Sequence, residues 1–68
     1  MIKIRRFIIS TGEEKEILIN PRYIYKIEPA NDGLLRIIMV PLIKEDITFI
    51  YTRHAMSTII GKIKGSKQ

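Results

Sequence analysis

The sequence predicts a small α+β fold, an antiparallel β-sheet of four to five strands followed by one C-terminal helix. Short apolar runs separated by Gly, Pro and Asn fill residues 2–51, and such spacing is typical of strands joined by tight turns. From Met56 onward the apolar period changes to i, i+3, i+4, i+7, which indicates a helix. The chain has 68 residues, which predicts a single domain over 1–68.

The strands are predicted from alternation and from the residues that interrupt them. They cover Ile2–Ile9, Glu16–Ile19, Arg22–Glu28, Leu34–Val40 and Ile47–Tyr51. Asn20-Pro21 separates the second strand from the third, because proline cannot donate to a strand ladder. Asp32-Gly33 predicts a hairpin turn with positive φ angles, and Lys44-Glu45-Asp46 predicts a charged turn.

The helix is predicted over about 53–64, with a frayed tail over 65–68. Thr52 is a suitable N-cap, since a threonine hydroxyl accepts from a free amide of the first turn. The apolar stripe consists of Met56, Ile59, Ile60 and Ile63. Gly65 is a natural C-terminal cap.

The small size of the chain predicts self-association. A chain this short buries only about 60% of its unfolded surface, so small folds often need disulfides, a metal or a partner subunit. The sequence contains no cysteine and a single histidine, which leaves a homo-oligomer, with a dimer favoured. The absence of cysteine fits a reducing compartment, and no apolar run approaches the roughly 20 residues of a membrane span, so we expect a cytoplasmic protein without a signal peptide.

The net charge of +5 is concentrated at the two ends of the chain. Residues 1–9 carry +3, residues 10–51 carry −2 and residues 52–68 carry +4. This distribution indicates either an anionic partner or a solvated basic surface that aids solubility. The candidate nucleic-acid-binding residues, as phosphate contacts, are Arg5, Arg6, Arg53, Lys62 and Lys64.

The aromatic residues allow two interpretations. Tyr23 with Tyr25, and Phe49 with Tyr51, have the spacing of a shared strand face. Such pairs stack on bases in single-strand binders, but cross-strand core contacts are the more common arrangement, and the core is the favoured interpretation here.

The sequence offers no catalytic constellation, cofactor motif or metal site, and we expect a protein that is not an enzyme. Four of the seven acids form adjacent pairs in predicted turns, Glu13-Glu14 and Glu45-Asp46, and adjacent carboxylates point apart. His54 is expected on the first helical turn, facing solvent. The leading hypothesis is therefore a self-associating interaction module with a protein partner. The alternative is an RNA- or DNA-binding regulator that uses the basic chain ends.

Two families resemble this chain. Ile17-Leu18-Ile19-Asn20-Pro21, followed by Ile24, Ile27 and Glu28, resembles the core signature of the FlbD-like family of small bacterial proteins over residues 2–40. That family has no settled biochemical activity to transfer. In architecture, the chain is also similar to the carbon-storage-regulator family, which implies an intertwined RNA-binding dimer. That resemblance implies RNA contacts at Arg6 and Arg53.

Overall fold

The computed structural model describes residues 1–40 and 47–65 and shows an α+β fold, as predicted. The elements, in chain order, are β1 Ile2–Ile8, β2 Glu13–Ile19, a 3-10 helix Pro21–Tyr23, β3 Ile24–Pro29, a 3-10 helix Asn31–Gly33, β4 Leu35–Met39, β5 Thr48–Thr52 and α1 Met56–Gly65. The predicted charged turn at Lys44-Glu45-Asp46 and residues 66–68 of the predicted tail lie outside the described residues. Gly65, which was predicted as the first residue of the tail, is the last residue of α1.

The strands form two antiparallel sheets rather than one. β1 and β2 make a two-stranded hairpin, and β3, β4 and β5 make a three-stranded sheet in that order. The hairpin turn contains Gly12 at φ 77°, a conformation that glycine adopts at little steric cost. The β3–β4 connection contains Asp32 at φ 61° and Gly33 at φ 75°, which confirms the positive φ angles predicted for this dipeptide.

The core lies between the inward faces of the two sheets and one face of α1. Its buried apolar members are Ile2, Ile4, Ile19, Leu35, Ile37, Ile50 and Ile59. Met56 and Ile63 pack against this cluster from the same side of α1 as Ile59. The predicted stripe is thus confirmed at these three positions, whereas Ile60 is 40% exposed.

The start of the helix differs from the prediction. α1 begins at Met56 rather than near residue 53, because Thr52 is still the last residue of β5 and pairs with Leu35. Thr52 is fully buried, and its hydroxyl accepts from the backbone N–H of His54 over 3.2 Å. The hydroxyl therefore orders the segment between strand and helix and does not cap the helix.

The pairing of β3 with β4 contains an irregularity that the alternation did not predict. Ile24 pairs with Met39 and Lys26 pairs with Ile38, so Tyr25 is an extra, unpaired residue. Such a bulge reverses the expected facing of the residues after it. Ile27 therefore packs against the core together with Ile24. Tyr23 lies in the 3-10 helix before β3, so the predicted strand face shared by Tyr23 and Tyr25 is wrong.

Candidate functional site

Two of the five predicted basic residues lie together at one depression. Arg5 of β1 and Lys62 of α1 line a hollow of about 240 Å³, together with Lys3 and His54. Lys3 and Arg5 alternate with the buried Ile4 on β1, which places both on the outward side of the hairpin. Arg5 and Lys62 lie far apart in the sequence, so the sequence did not predict that they are close in space. Their proximity depends on the packing of α1 near β1.

The acids of β2 partly balance this basic depression. Glu16 also lines the depression, and its Oε1 lies 3.9 Å from the Lys3 Nζ. The Oε1 of Glu14 lies 3.9 Å from the Arg5 Nη1. The side chains of Lys3, Glu16 and Arg5 are exposed and that of Glu14 is partly buried, and ion pairs at the surface contribute about 0–1 kcal/mol. Their carboxylates are therefore weak competitors for an incoming phosphate, and Lys62 adds a further positive charge.

His54 links the end of β5 to the edge of β1 that faces away from β2. Its Nε2 accepts the backbone N–H of Arg5 over 3.3 Å. His54 is half-buried and precedes the helix. The prediction that it faces solvent on the first helical turn is therefore wrong.

Arg53 covers an aromatic ring beside this depression. Its guanidinium carbon lies 4.5 Å from the centroid of the Phe7 ring, within the range of a cation–π contact. Both residues line a cleft of about 470 Å³ whose remaining walls are Ile9, Leu34, Asn31 and Asp32. Arg53 is thus exposed, but its guanidinium lies against an aromatic ring at the cleft.

The other two predicted basic residues do not join this group. Arg6 alternates with Arg5 and lies on the opposite face of β1, in register with Lys15 of β2. Lys64 is exposed on the last turn of α1. Because a strand places successive side chains on opposite faces, adjacent Arg5 and Arg6 do not contact one common surface. The five predicted residues therefore do not form one continuous patch.

A second candidate surface, the outer face of the three-stranded sheet, was not predicted from the sequence. We define this outer face by two rows of paired residues, Glu28–Arg36–Tyr51 and Lys26–Ile38–Phe49. Arg36 interrupts an otherwise apolar strand in the sequence. The alternation of Arg36 with the apolar Ile37 is the feature of the sequence that indicates a solvent-facing side of β4.

Arg36 organises the first row of the outer face. Its guanidinium forms an ion pair with Glu28, and its Nε donates to the Tyr51 hydroxyl over 3.3 Å. The guanidinium carbon also lies 5.6 Å from the centroid of the Tyr51 ring and 6.0 Å from that of Phe49. The Lys26 ammonium lies 3.4 Å from the other oxygen of Glu28.

These contacts shift two protonation equilibria. The hydrogen bond from Arg36 is the largest cause that lowers the pKa of Glu28, and Lys26 adds to it, while partial burial acts in the opposite direction. The hydrogen bond with Tyr51, followed by that with Glu28, raises the pKa of Arg36. The outer face therefore keeps an ionised carboxylate and a guanidinium in fixed positions near two aromatic rings.

Two aromatic side chains of the three-stranded sheet are accessible. Phe49 on the outer face is 52% exposed, and Tyr25, at the bulge of β3, is 73% exposed. The favoured prediction that the aromatic pairs belong to the core is therefore wrong for both residues. The reason is that the inward positions of β3–β5 are already occupied by isoleucines, such as Ile27, Ile37 and Ile50.

Within residues 1–40 and 47–65, the structure shows no group of three or more histidine or acidic side chains placed to hold a metal ion. Across the same residues, no helix has the length and apolar character needed to cross a membrane. Comparisons with models of protein families, with curated proteins and with solved structures find no match to this chain.

Proposed function

We propose that this protein is a non-enzymatic interaction module and that a second copy of the chain binds its outer face. The observation that carries the proposal is the exposure of Phe49 on the outer face of a paired sheet, with the exposed Tyr25 at the bulge of β3. α1 packs on the opposite side, through Ile59, in the core cluster. None of the described elements, which span residues 1–40 and 47–65, shields this aromatic surface from solvent.

The composition of the outer face is that of an interaction surface. Aromatic residues and arginine are enriched in the centres of protein interfaces, and they account for most residues whose truncation weakens binding. Here Phe49, Tyr51 and Arg36 lie side by side. Arg36 is already fixed by Glu28, which lowers the entropy lost when a partner immobilises it.

A second copy of the chain is the proposed partner because it would supply the apolar burial that so small a domain needs for stability. The core contains few buried side chains, all from a chain of 68 residues without cysteine, and association supplies the additional apolar burial that small folds need. A two-fold interface requires a self-complementary surface. The outer face meets this requirement, since Lys26 and Glu28 provide both signs of charge beside Phe49 and Ile38.

Association through strand edges is less favourable. The free edge of β2 carries Glu13, Glu14, Lys15 and Glu16 in succession, and the free edge of β3 contains the bulge at Tyr25. Charged residues and bulges both block edge-to-edge pairing. These features favour face-to-face packing of two outer faces.

Sedimentation velocity over a dilution series tests the proposal. The wild-type protein should sediment as a dimer that dissociates on dilution, and Phe49→Lys should sediment as a monomer, because the new ammonium would be buried without a partner. Leu18→Lys is the matched control, since Leu18 is 61% exposed on β2. A monomeric wild-type protein, or equal weakening by both substitutions, would contradict the second copy as the occupant.

The depression formed by Arg5 and Lys62 favours a second candidate function, the binding of single-stranded nucleic acid. Phosphate contacts by lysine and arginine release counterions, so the logarithm of affinity falls with log salt by about 0.7 for each phosphate neutralised. Removing Arg5 or Lys62 should therefore weaken binding and reduce this slope. Arg22→Ala is the charge-matched control, since Arg22 is exposed in the 3-10 helix. Binding that is insensitive to salt would contradict this candidate.

A further inference from the structure

The cleft beside Arg53 has apolar and polar lining residues. Phe7, Ile9 and Leu34 are its apolar lining, which we call the floor, and Asn31 and Asp32 are polar. Its volume of about 470 Å³ is within the range of about 300–1,000 Å³ typical of sites for small molecules. Ile9 is 59% exposed although it lines the cleft, so the floor is accessible from solvent.

The polar side chains of the cleft have unused hydrogen-bonding capacity. Within residues 1–40 and 47–65, the Arg53 guanidinium contacts the Phe7 ring and no carboxylate. In the same residues, Asn31 and Asp32 make bonds through the backbone oxygen of Asn31 but none through either side chain. A cation, an amide and a carboxylate therefore border one apolar floor.

The charges in the cleft select what it can hold. A phosphate in the cleft is attracted by Arg53 but repelled by the carboxylate of Asp32, which lines the same cleft, since like charges repel. A planar, uncharged ring with hydrogen-bond donors at its edge satisfies the floor, Asn31 and Asp32 together. A nucleobase has these properties, and arginine and aromatic side chains both stack on bases.

The neighbouring depression lies at a suitable place for the backbone of the same strand. Phe7 of the cleft and Arg5 of the depression are two residues apart on one face of β1, a separation of about 7 Å. Arg53 and His54 are adjacent in sequence and line the cleft and the depression respectively. A base in the cleft thus brings its flanking phosphates toward Arg5 and Lys62.

We infer that the cleft lined by Phe7, Arg53 and Asp32 binds an unpaired base of single-stranded nucleic acid, with the adjoining phosphates at the depression of Arg5 and Lys62. This inference rests on the second candidate function and is independent of self-association. Arg53 can serve both parts of such a site, since its guanidinium lies 4.5 Å from the centroid of the Phe7 ring and the side chain is exposed to a nucleic acid in solvent.

The test compares a fluorescently labelled oligothymidylate with an abasic strand of the same length and charge, by anisotropy at low salt. The abasic strand should bind about tenfold or more weakly, because it keeps the phosphates and lacks the stacking ring. Phe7→Leu and Arg53→Ala should reduce this ratio toward one, whereas Arg22→Ala should leave it unchanged. Circular dichroism establishes that each variant is folded.

Asp32→Asn provides a second arm that does not depend on the floor of the cleft. Asparagine tolerates the positive φ angle of this position, so the backbone should be retained. If a base occupies the cleft, the substitution changes the affinity for oligothymidylate and leaves that for the abasic strand unaltered. Equal tightening for both strands would place a phosphate beside residue 32 and overturn the inference.

The outcomes separate the cleft from the wider nucleic-acid candidate. Equal, salt-sensitive affinity for both strands would overturn the base site and leave phosphate binding at Arg5 and Lys62 intact. Absence of binding to either strand would overturn both. An acidic, apolar peptide is the competing occupant, and Phe7-dependent binding of such a peptide without any base dependence would also overturn the inference.

Discussion

Arg36 on β4 lies directly opposite Glu28 on β3, and the two side chains form an ion pair on the outer face of the sheet. This pair is surrounded by Tyr51 and Lys26 rather than left isolated at the surface. Networks of charges with fixed geometry contribute more than single exposed pairs. The pair therefore orders the surface that we propose for self-association.

The stability of the protein should decrease as Glu28 becomes protonated. Arg36 lowers the pKa of Glu28 in the folded protein, so the ionised carboxylate stabilises the fold at all pH values above its ordinary pKa of 4.5. This contribution is lost as the pH falls through the lower, folded pKa. Chemical denaturation should show a falling free energy of unfolding below about pH 4.5.

Glu28→Gln is the control for this pH dependence. Glutamine keeps the size of the side chain and removes its charge, so the variant should be less stable at neutral pH and show a flatter pH profile between neutral pH and the acid limb. A profile as steep as that of the wild-type protein would assign the acid sensitivity to other carboxylates.

His54→Ala should loosen the attachment of β1 to the segment before α1. The substitution removes the acceptor for the backbone N–H of Arg5, and a hydrogen bond of this kind contributes about 0.5–1.5 kcal/mol. Amide hydrogen exchange at Arg5 should accelerate selectively. His54→Gln, which retains an acceptor, should restore part of the protection, and unchanged exchange in both variants would argue against the bond.

Ile37→Ala should be among the most destabilising substitutions in the protein. Ile37 is fully buried in the core cluster, and truncating such a residue costs about 2–5 kcal/mol. Ile60→Ala removes the same atoms from a side chain that is 40% exposed and should cost much less. Thermal unfolding of the two variants measures the difference, and similar losses would contradict the assigned position of the core.

Two glycine substitutions should have opposite effects. Gly61 lies inside α1, and a Cβ atom there meets nothing within 4 Å, so Gly61→Ala should stabilise the protein by about 0.5–1 kcal/mol. Gly12 has a φ of 77°, which alanine disfavours, so Gly12→Ala should be destabilising despite equal space. Denaturant midpoints of both variants check the signs, and a destabilising Gly61→Ala would contradict the assigned helix.

Local patterns predicted most of the elements because their causes are local. The alternation of Ile2 and Ile4 placed β1, and the spacing of Met56, Ile59 and Ile63 identified the buried side of the helix. The positive φ angles of the β3–β4 turn follow from Asp32-Gly33 itself. These features depend on residues within a few positions of each other.

The features that the sequence did not predict depend on long-range pairing. The bulge at Tyr25 is defined by its partner strand, so alternation alone assigned the tyrosines to the wrong faces. The depression forms only because Arg5 and Lys62, which lie at opposite ends of the sequence, are brought to one site by the fold. The cleft requires Arg53 to fold back over Phe7. The basic composition predicted that arginines and lysines would bind a partner. It did not distinguish Arg5, Arg53 and Lys62, which line the cleft and the depression, from Arg6 and Lys64.

Intermolecular nuclear Overhauser effects test the central proposal most directly. In a mixture of isotope-labelled and unlabelled protein, we expect contacts from the Phe49 ring of one copy to residues of the outer face of the other copy, with Ile38 and Lys26 among them. These effects should disappear in Phe49→Lys. The absence of intermolecular contacts from Phe49, or their restriction to the hairpin around Leu18, would show that the outer face is not where two copies meet.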